Sequence, residues 1–287
     1  MKRPSMECGI VLHPAGHTRS PAMHRAAHDF LGIDAAYEAH DVSPEGLADA
    51  LAGFRARGLR QFAVSIPHKE TIMPLLDEVD DVARRIGAVN TVTRMGDRLV
   101  GSNTDWLGGL RALEREIAIE GQRAVVLGAG GTARALIHGL WSRGCEVFVL
   151  NRTIERAERI VRELDATAAG PLEQLAELAP AILVNTTSVG MGEMRSPVPA
   201  HALPPGAVVL DAVYSPERTR LLLDAERRGC RTVGGKWMLV YQAVEQLRIW
   251  TAQLDAPPTE SDLRAVTEVM ARAFDEAGGL SGNASEA

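Results

Sequence analysis

The run Val125, Val126, Leu127 leads into Gly128-Ala129-Gly130-Gly131, and a helix-compatible run over 133–141 follows. A strand, a tight turn and a helix in that order make a phosphate cradle. Gly128 permits the sharp turn, and Gly130 lets the backbone approach a pyrophosphate because no Cβ stands in the way. Ala133 is small enough for close helix–strand packing. The helix start then offers N–H groups and a partial positive charge to an anion. The next strand-like run, 145–150, ends at Asn151-Arg152-Thr153, with Arg156 one helical turn on. That is about 20 residues past the glycines, where the ribose is read. An NAD site would place Asp or Glu there to hold the 2′-OH. Cations and a hydroxyl suit a 2′-phosphate instead, so the cofactor reads as NADP. The competing reading is a glycine turn of any α/β domain, with Arg152 as a solvated helix-start residue.

A dinucleotide domain oxidises or reduces something, and another part of the chain must hold it. Ile66-Pro67-His68-Lys69-Glu70 places a lysine just past a strand, and Asp105 follows a second strand-like segment. A lysine steadied by an aspartate forms a proton-transfer pair: the ammonium gives a proton to a carbonyl oxygen as hydride arrives, or takes it back in reverse. Spacing alone leaves a second reading open, an ordinary surface salt bridge.

The chain has 287 residues, 46% hydrophobic, which suffices for one large or two ordinary domains. The formal net charge is −6 with Lys and Arg scattered, which suggests neither a nucleic-acid nor a membrane partner. Cys8, Cys145 and Cys230 are too far apart for a redox pair or zinc spacing, so three reduced thiols in a cytoplasmic protein are expected. Near the N-terminus only Ile10, Val11 and Leu12 form an apolar run, too short for a signal-peptide core, and no stretch is long enough to span a bilayer. Asn283-Ala284-Ser285 reads as a chance match to a glycosylation acceptor.

Strand- and helix-like runs alternate, which predicts a mostly parallel sheet. Strands are expected at 8–12, 35–41 and 62–66, and helices at 23–31, 44–57 and 73–85. The segments 88–93 and 98–101 flank Met95-Gly96-Asp97 as a hairpin. A helix over 107–119 carries the chain to the glycine-rich unit. Beyond it, strands are expected at 181–185, 208–213 and 231–233, with helices at 154–164 and 221–228. Gly234-Gly235 breaks the chain before long helices at 238–254 and 261–276. These have no later sheet partner, so they are expected to return to the first domain. The fold class is therefore α/β with two domains. An N-terminal α/β substrate domain covers 1–106 plus 238–276, a Rossmann-type NADP-binding domain covers 107–237, and 277–287 form a flexible tail.

The chain resembles the shikimate dehydrogenase family, collinearly over almost its whole length. The likeness lies in His17-Thr18-Arg19-Ser20-Pro21, Ser65-Ile66-Pro67-His68-Lys69-Glu70, Gly87-Ala88-Val89-Asn90-Thr91 and Asn103-Thr104-Asp105. It continues through Gly128-Ala129-Gly130-Gly131, Asn151-Arg152-Thr153, Asn185-Thr186-Thr187-Ser188, Asp211 with Tyr214, and Gly235 followed by Met238-Leu239-Val240 and Gln242. The resemblance implies an NADP-dependent, reversible reduction of 3-dehydroshikimate to shikimate or a close analogue in aromatic amino-acid biosynthesis. It implies Lys69 and Asp105 as the catalytic pair, and Thr18 and Ser20 as hydroxyls on the substrate carboxylate. Ser65, Asn90 and Gln242, with Asp105, would read ring hydroxyls, and Tyr214 would stand at the substrate mouth. Gly128, Ala129, Gly130 and Gly131 would cradle the pyrophosphate, and Asn151, Arg152, Thr153 and Arg156 would clamp the 2′-phosphate. Thr186, Thr187, Ser188, Val213 and Gly235 would line the rest of the cofactor. The implied ligand is a cyclohexene carboxylate, bound by a monomer or homodimer without a metal.

Each residue has a plainer reading too. Ser20 could cap the following helix, Asn90 could satisfy hairpin backbone, and Gln242 could lie on a polar helix face. His17 and His68 are given no role. Some positions depart from the family. Thr18 stands where Ser is usual, and Ala63 where Asn usually touches the substrate hydroxyls. Losing one partner of a buried polar pair costs roughly 1–3 kcal/mol, enough to shift preference among analogues. Trp106 replaces a common Gly, and Lys236-Trp237 are unusual beside Gly235. Three alternatives stay open: a quinate/shikimate dehydrogenase using NAD or NADP, a non-catalytic ligand-sensing homologue, and an unrelated two-domain NADP reductase.

Overall fold

Among the described residues two six-stranded sheets organise the chain, one in each of two compact units. The structure is a computed structural model and describes residues 6–16 and 18–282. His17, the Asn283 sequon and the last residues of the expected tail lie outside the described residues. One unit takes the residues up to Thr104 and those from Ala243 on; the other is Asp105–Gln242.

The first unit contains β1 (Met6–Leu12), α1 (Ser20–Phe30), β2 (Ala35–Asp41), α2 (Leu47–Arg57), β3 (Gln61–Val64), β4 (Glu78–Val79), α3 (Asp81–Ile86), β5 (Thr91–Met95) and β6 (Arg98–Ser102). Its strand order is β2-β1-β3-β5-β6-β4. The β1 pairings are parallel, whereas β5 runs antiparallel to both β3 and β6. Alternation along β3 sorts its side chains between the two faces. Phe62 and Val64 join Val11, Val92, Leu99 and the Leu51–Phe54 side of α2 in one apolar layer. Ala63 faces the other way, into a cluster of Cys8, Ile10, Leu12, Tyr37 and Trp250.

The second unit contains α4 (Asp105–Leu113), β7 (Arg123–Leu127), α5 (Gly131–Ser142), β8 (Glu146–Leu150), α6 (Ile154–Leu164), β9 (Ala168–Gly170), α7 (Leu175–Leu178), β10 (Ile182–Asn185), β11 (Val208–Asp211), α8 (Arg220–Arg227) and β12 (Arg231–Val233). All its strands are parallel, in the order β12-β11-β10-β7-β8-β9. That is the doubly wound Rossmann order, with its switch point between β7 and β10. The chain closes with α9 (Gly235–Thr251) and α10 (Glu260–Gly282). Residues of α9 from Ala243 onward and all of α10 belong to the first unit, where α10 lies along α1. The expected two-domain α/β class, with helices returning to the first domain, is the one the chain adopts.

Several element expectations need correction. The helix expected over 73–85 is instead a single 3-10 turn at Met73–Leu75, then β4, then α3. Asp77 is drawn into the sheet, its Oδ2 accepting from Leu99 N–H at 2.6 Å. Asp80 caps a fresh helix, its Oδ1 accepting from Ala83 N–H at 2.6 Å. The helix expected over 107–119 begins at Asp105 and stops at Leu113, so Asp105 carries its charge at the positive end of α4. Residues 44–57 divide into a 3-10 turn at Pro44–Gly46 and α2. Gly235 is the first residue of α9 rather than a break. A Cβ there would lie 2.6 Å from Ala212 O and 2.7 Å from Val213 O, so only glycine lets α9 start so close to the chain leaving β11. The last helix, expected to end at residue 276, runs on to Gly282. The short β9 and α7 carry too few apolar residues to show a period, and the sequence reading passes over both.

Candidate active site

In the first unit the candidate residues gather at one sheet edge, where β1 and β3 end and antiparallel β5 begins. Ala63 pairs with Thr91, so Ser65 and Asn90 leave neighbouring strands at the same edge. The loop after β1 is held there from both sides. His13 N–H donates to Ile66 O at 3.0 Å, and His13 Nδ1 pairs with Asp41 Oδ1 at 2.7 Å. The His13 ring and Ala15 N–H hold the Asp41 carboxyl below its ordinary range. Thr18 N–H donates to Ala15 O, and Thr18 Oγ1 accepts from Ser20 N–H at 3.3 Å. Thr18, not Ser20, therefore turns the chain into α1, whose N-cap Arg19 makes no side-chain cap. Arg19 between them is anchored to α10. Its guanidinium lies 4.1 Å over the Phe274 ring and donates to Phe274 O.

Lys69 is half-buried on a pinned segment. Its carbonyl accepts from Val89 N–H at 2.7 Å, next to Asn90. His68 is fully buried, and its Nε2 meets Val42 O at 2.7 Å. The carbonyl can only accept, so Nε2 carries the proton and His68 acts as a strut. Asn90 is buried too. Its Oδ1 accepts from Thr104 N–H at 2.8 Å and from Thr91 Oγ1 at 2.7 Å, and its Nδ2 donates to Thr104 Oγ1 at 3.0 Å. Ala63 lies in the apolar cluster beside Trp250, with no polar atom on its side chain.

Asp105, Tyr214, Gln242 and every candidate cofactor residue belong to the second unit. Asp105 is buried at the first turn of α4. Gln242 packs on the same helix: a Cβ at Gly108 would lie 2.7 Å from Gln242 Cβ. Its Nε2 donates to Leu239 O. Trp106 sets its ring edge against His138, with centroids 5.6 Å apart. The Trp237 ring lies under the Arg115 guanidinium at 3.9 Å and beside Tyr241.

The glycine turn sits at the switch point. Gly128 has φ +111°, a backbone that side chains rarely adopt, and a Cβ there would strike Thr186 Oγ1 at 2.7 Å. A Cβ at Gly130, the N-cap of α5, would meet nothing within 4 Å. Open space at that point and a helix start with no side-chain cap suit a bound diphosphate. Arg156 Nη2 reaches Ala129 O at 3.4 Å, which places a second cation beside the turn, while Arg152 is exposed. Thr153 is the N-cap of α6 and makes no cap bond, and Asn151 Nδ2 donates to Thr153 O at 2.8 Å. These groups fit a 2′-phosphorylated dinucleotide. Arg134 is instead engaged with Glu163 at 2.6 Å, clamping α5 to α6. Thr186 Oγ1 donates to Leu127 O at 2.7 Å, and Met191 N–H to Ser188 O. Val213 N–H donates to Asp211 Oδ1 at 3.0 Å, and Tyr214 follows it half-buried.

Sequence reasoning missed what shapes the crevice loops. Asn185 and Asp211 end β10 and β11 and are fully buried. Asn185 Nδ2 donates to Asp211 Oδ1 at 2.9 Å, and Thr219 Oγ1 to Asp211 Oδ2 at 2.7 Å. Asn185 Oδ1 accepts from the Thr187 backbone N–H and hydroxyl. Burial raises the Asp211 carboxyl above its ordinary value, against the pull of these donors. The available signal was a polar residue closing an apolar strand at the crevice. Replacing Asp211 by Ala is expected to destabilise the chain by about 3 kcal/mol in urea denaturation, because three buried donors lose their acceptor. Asp211→Asn keeps Oδ1 and is expected to cost less; equal losses in the two variants would refute this account.

Comparison with known proteins gives the same picture. Residues 10–92 match the model of the shikimate dehydrogenase substrate binding domain, and residues 111–196 match that of shikimate / quinate 5-dehydrogenase. The shikimate dehydrogenase (NADP(+)) of Thermococcus kodakarensis is 47% identical over 246 residues, covering 85% of this chain and 90% of its own. The shikimate 5-dehydrogenase of Thermus thermophilus, solved with NADP(H) and shikimate, superposes with TM-score 0.83 at 38% identity, covering 93% of this chain and 99% of its own. The ligand-free 5-ketofructose reductase of Gluconobacter sp. strain CHM43 superposes with TM-score 0.79 at 34% identity, covering 95% and 99%.

Proposed function

The chain belongs to the shikimate dehydrogenase family, and on that premise we propose that it catalyses the NADP-dependent, reversible reduction of 3-dehydroshikimate to shikimate. The observation that carries the reading is the sheet edge of the first unit, which gathers Thr18, Ser20, Ser65, Lys69 and Asn90 from segments distant in sequence. The first unit supplies Thr18, Ser20, Ser65, Lys69 and Asn90, and the second supplies the cofactor residues together with Asp105, Tyr214 and Gln242.

Thr18 and Ser20 donate hydroxyl hydrogen bonds to the ring carboxylate. Ser65, Asn90 and Gln242 hold ring hydroxyls, each able to donate or accept. Tyr214 borders the ring. NADPH, when bound, supplies the hydride. Lys69 gives its proton to the carbonyl oxygen as that oxygen gains charge, and takes it back in the oxidation direction. Asp105 is the carboxylate member of the proposed pair. The Gly128-Ala129-Gly130-Gly131 turn and the start of α5 hold the diphosphate. Asn151, Arg152, Thr153 and Arg156 hold the 2′-phosphate. Thr186, Thr187, Ser188, Val213 and Gly235 border the nicotinamide side. The reading goes with a cytoplasmic enzyme of aromatic amino-acid biosynthesis, working as a monomer or homodimer.

A panel of shikimate, quinate and the ketose product pair of 5-ketofructose reductase, each with NADP and NAD, tests this. Shikimate with NADP is expected to give the highest kcat/KM. Arg152→Ala is expected to raise KM for NADP about tenfold to a hundredfold, the scale of a lost charge-assisted bond, and to leave NAD use unchanged. Equal turnover of quinate would replace the reading with a quinate/shikimate dehydrogenase. Turnover of the ketose alone would remove the carboxylate role of Thr18 and Ser20. Binding without turnover would make the chain a ligand sensor.

A further inference from the structure

Asn90 does not stand alone behind the substrate edge. Its Oδ1 takes the Thr91 hydroxyl proton at 2.7 Å, and that hydroxyl is itself an acceptor. Gln246 on α9 supplies the donor: Nε2 lies 3.2 Å from Thr91 Oγ1 and 3.0 Å from the Asn90 main-chain oxygen. All three groups are buried. The Asn90 carbonyl also accepts from Val64 N–H at 2.8 Å. An oxygen that accepts twice can face only a donor, so the Gln246 amide must present Nε2 there and not Oε1.

The consequence runs outward from α9. The Thr91 hydroxyl has one proton. With Nε2 donating to Oγ1, that proton must leave in another direction, and Asn90 Oδ1 receives it. Asn90 Oδ1 is then gripped from two sides, by the Thr91 hydroxyl and by Thr104 N–H at 2.8 Å. The other end of the Gln246 amide faces the buried His24 ring: a side-chain hydrogen bond from Gln246 opposes the downward shift of that imidazole, although Oε1 makes no bond of standard geometry among the described residues. Both amide protons of Gln246 go to the Asn90–Thr91 pair, and that placement sets the orientation of the two neighbours.

We propose that Gln246 is a positioning residue for the substrate site, fixing the Asn90 side chain through the Thr91 hydroxyl. The inference rests on the reading of Asn90 as a ring-hydroxyl ligand. Because Asn90 touches the substrate before and during hydride transfer alike, the relay acts on ground-state and transition-state binding equally, and its loss raises KM more than it lowers kcat.

The test is a double-mutant cycle on the full chain, assayed by shikimate oxidation with NADP. Gln246→Met keeps the volume and removes the donor; Thr91→Val removes the middle hydroxyl and covers the case in which the first variant does not fold. Each is expected to raise KM for shikimate about fivefold to tenfold, the scale of one hydrogen bond, with KM for NADP unchanged. Added to Asn90→Ala, either is expected to raise KM no further. The same rise in the Asn90→Ala background as in the parent overturns the relay, and so does an unchanged KM in the two variants when Asn90→Ala raises it. If Asn90→Ala itself leaves KM for shikimate unchanged, the reading of Asn90 fails and the relay falls with it.

Discussion

Lys69→Ala is expected to lower kcat for shikimate oxidation by roughly a thousandfold while the Kd for NADPH stays within about twofold. General acid–base groups are worth about 10²–10⁴ in rate, whereas an exposed ion pair is worth about 0–1 kcal/mol and scarcely touches turnover. The size of the effect therefore separates the two readings that the sequence leaves open. The fold makes the experiment clean. The segment carrying Lys69 is held by its own carbonyl on Val89 N–H and by the buried His68 strut, neither of which uses the lysine side chain. Lys69→Arg sharpens it further. Arginine keeps the charge but gives up a proton only above about pH 12, so it too is expected to be nearly inactive. Asp105→Asn is expected to lower kcat as well, and the proposed pairing predicts a double variant little worse than Lys69→Ala alone. Steady-state kcat and fluorescence titration of NADPH measure all of this. Unchanged turnover in Lys69→Ala would falsify its role as proton donor.

The second large effect concerns acid. His24 and His28 are buried in the first unit around Tyr37 and Trp250, with the His24 ring stacked on Tyr37 at 4.3 Å. Burial pushes His24 down from 6.5 to about 3, with the neighbouring His28 adding to the shift and the Gln246 side chain opposing it. Burial likewise pushes His28 down to about 4. Both folded values lie below the unfolded one. The stability linked to them is therefore whole above pH 6.5 and lost as the pH falls toward 4 and then 3. At about 1.4 kcal/mol per unit, each histidine withdraws up to about 3 kcal/mol between pH 6.5 and 4. Domains are typically stable by about 5–15 kcal/mol, so a large share of the total goes. Urea denaturation at pH 7 and pH 4.5 should show the drop. His24→Phe keeps the stack on Tyr37 and removes the titration, so its drop should be distinctly smaller. An equal drop in the parent and His24→Phe would mean that other groups govern acid unfolding.

The second unit was the more legible half of the sequence. Its strands are buried on both faces and read as continuous apolar runs such as Val125-Val126-Leu127, and the glycines and Arg152 lie at spacings that chemistry itself sets. The first unit yielded less. Residues 73–85 carry a helical period, yet the Asp77 carboxylate bonds to Leu99 and the Asp80 carboxylate restarts the chain as a cap. Those are tertiary and local bonds that periodicity does not register. Site residues were legible as types, not as networks. Asn185, Asp211 and Thr219 are separated in sequence, and only the parallel pairing of β10 with β11 unites the first two. Gln246 lies 156 residues from Asn90, and nothing in its own surroundings on α9 announces a partner there.

Arg19, held by Phe274 on the last helix, has a consequence for how the molecule is made. Translation finishes Asp105–Gln242 as one uninterrupted stretch. The half that begins first still waits for α10 to leave the ribosome before the loop carrying Arg19 has an anchor. The nascent chain therefore completes its second unit before its first, and a premature stop codon ahead of α10 strikes the earlier-made part rather than the later.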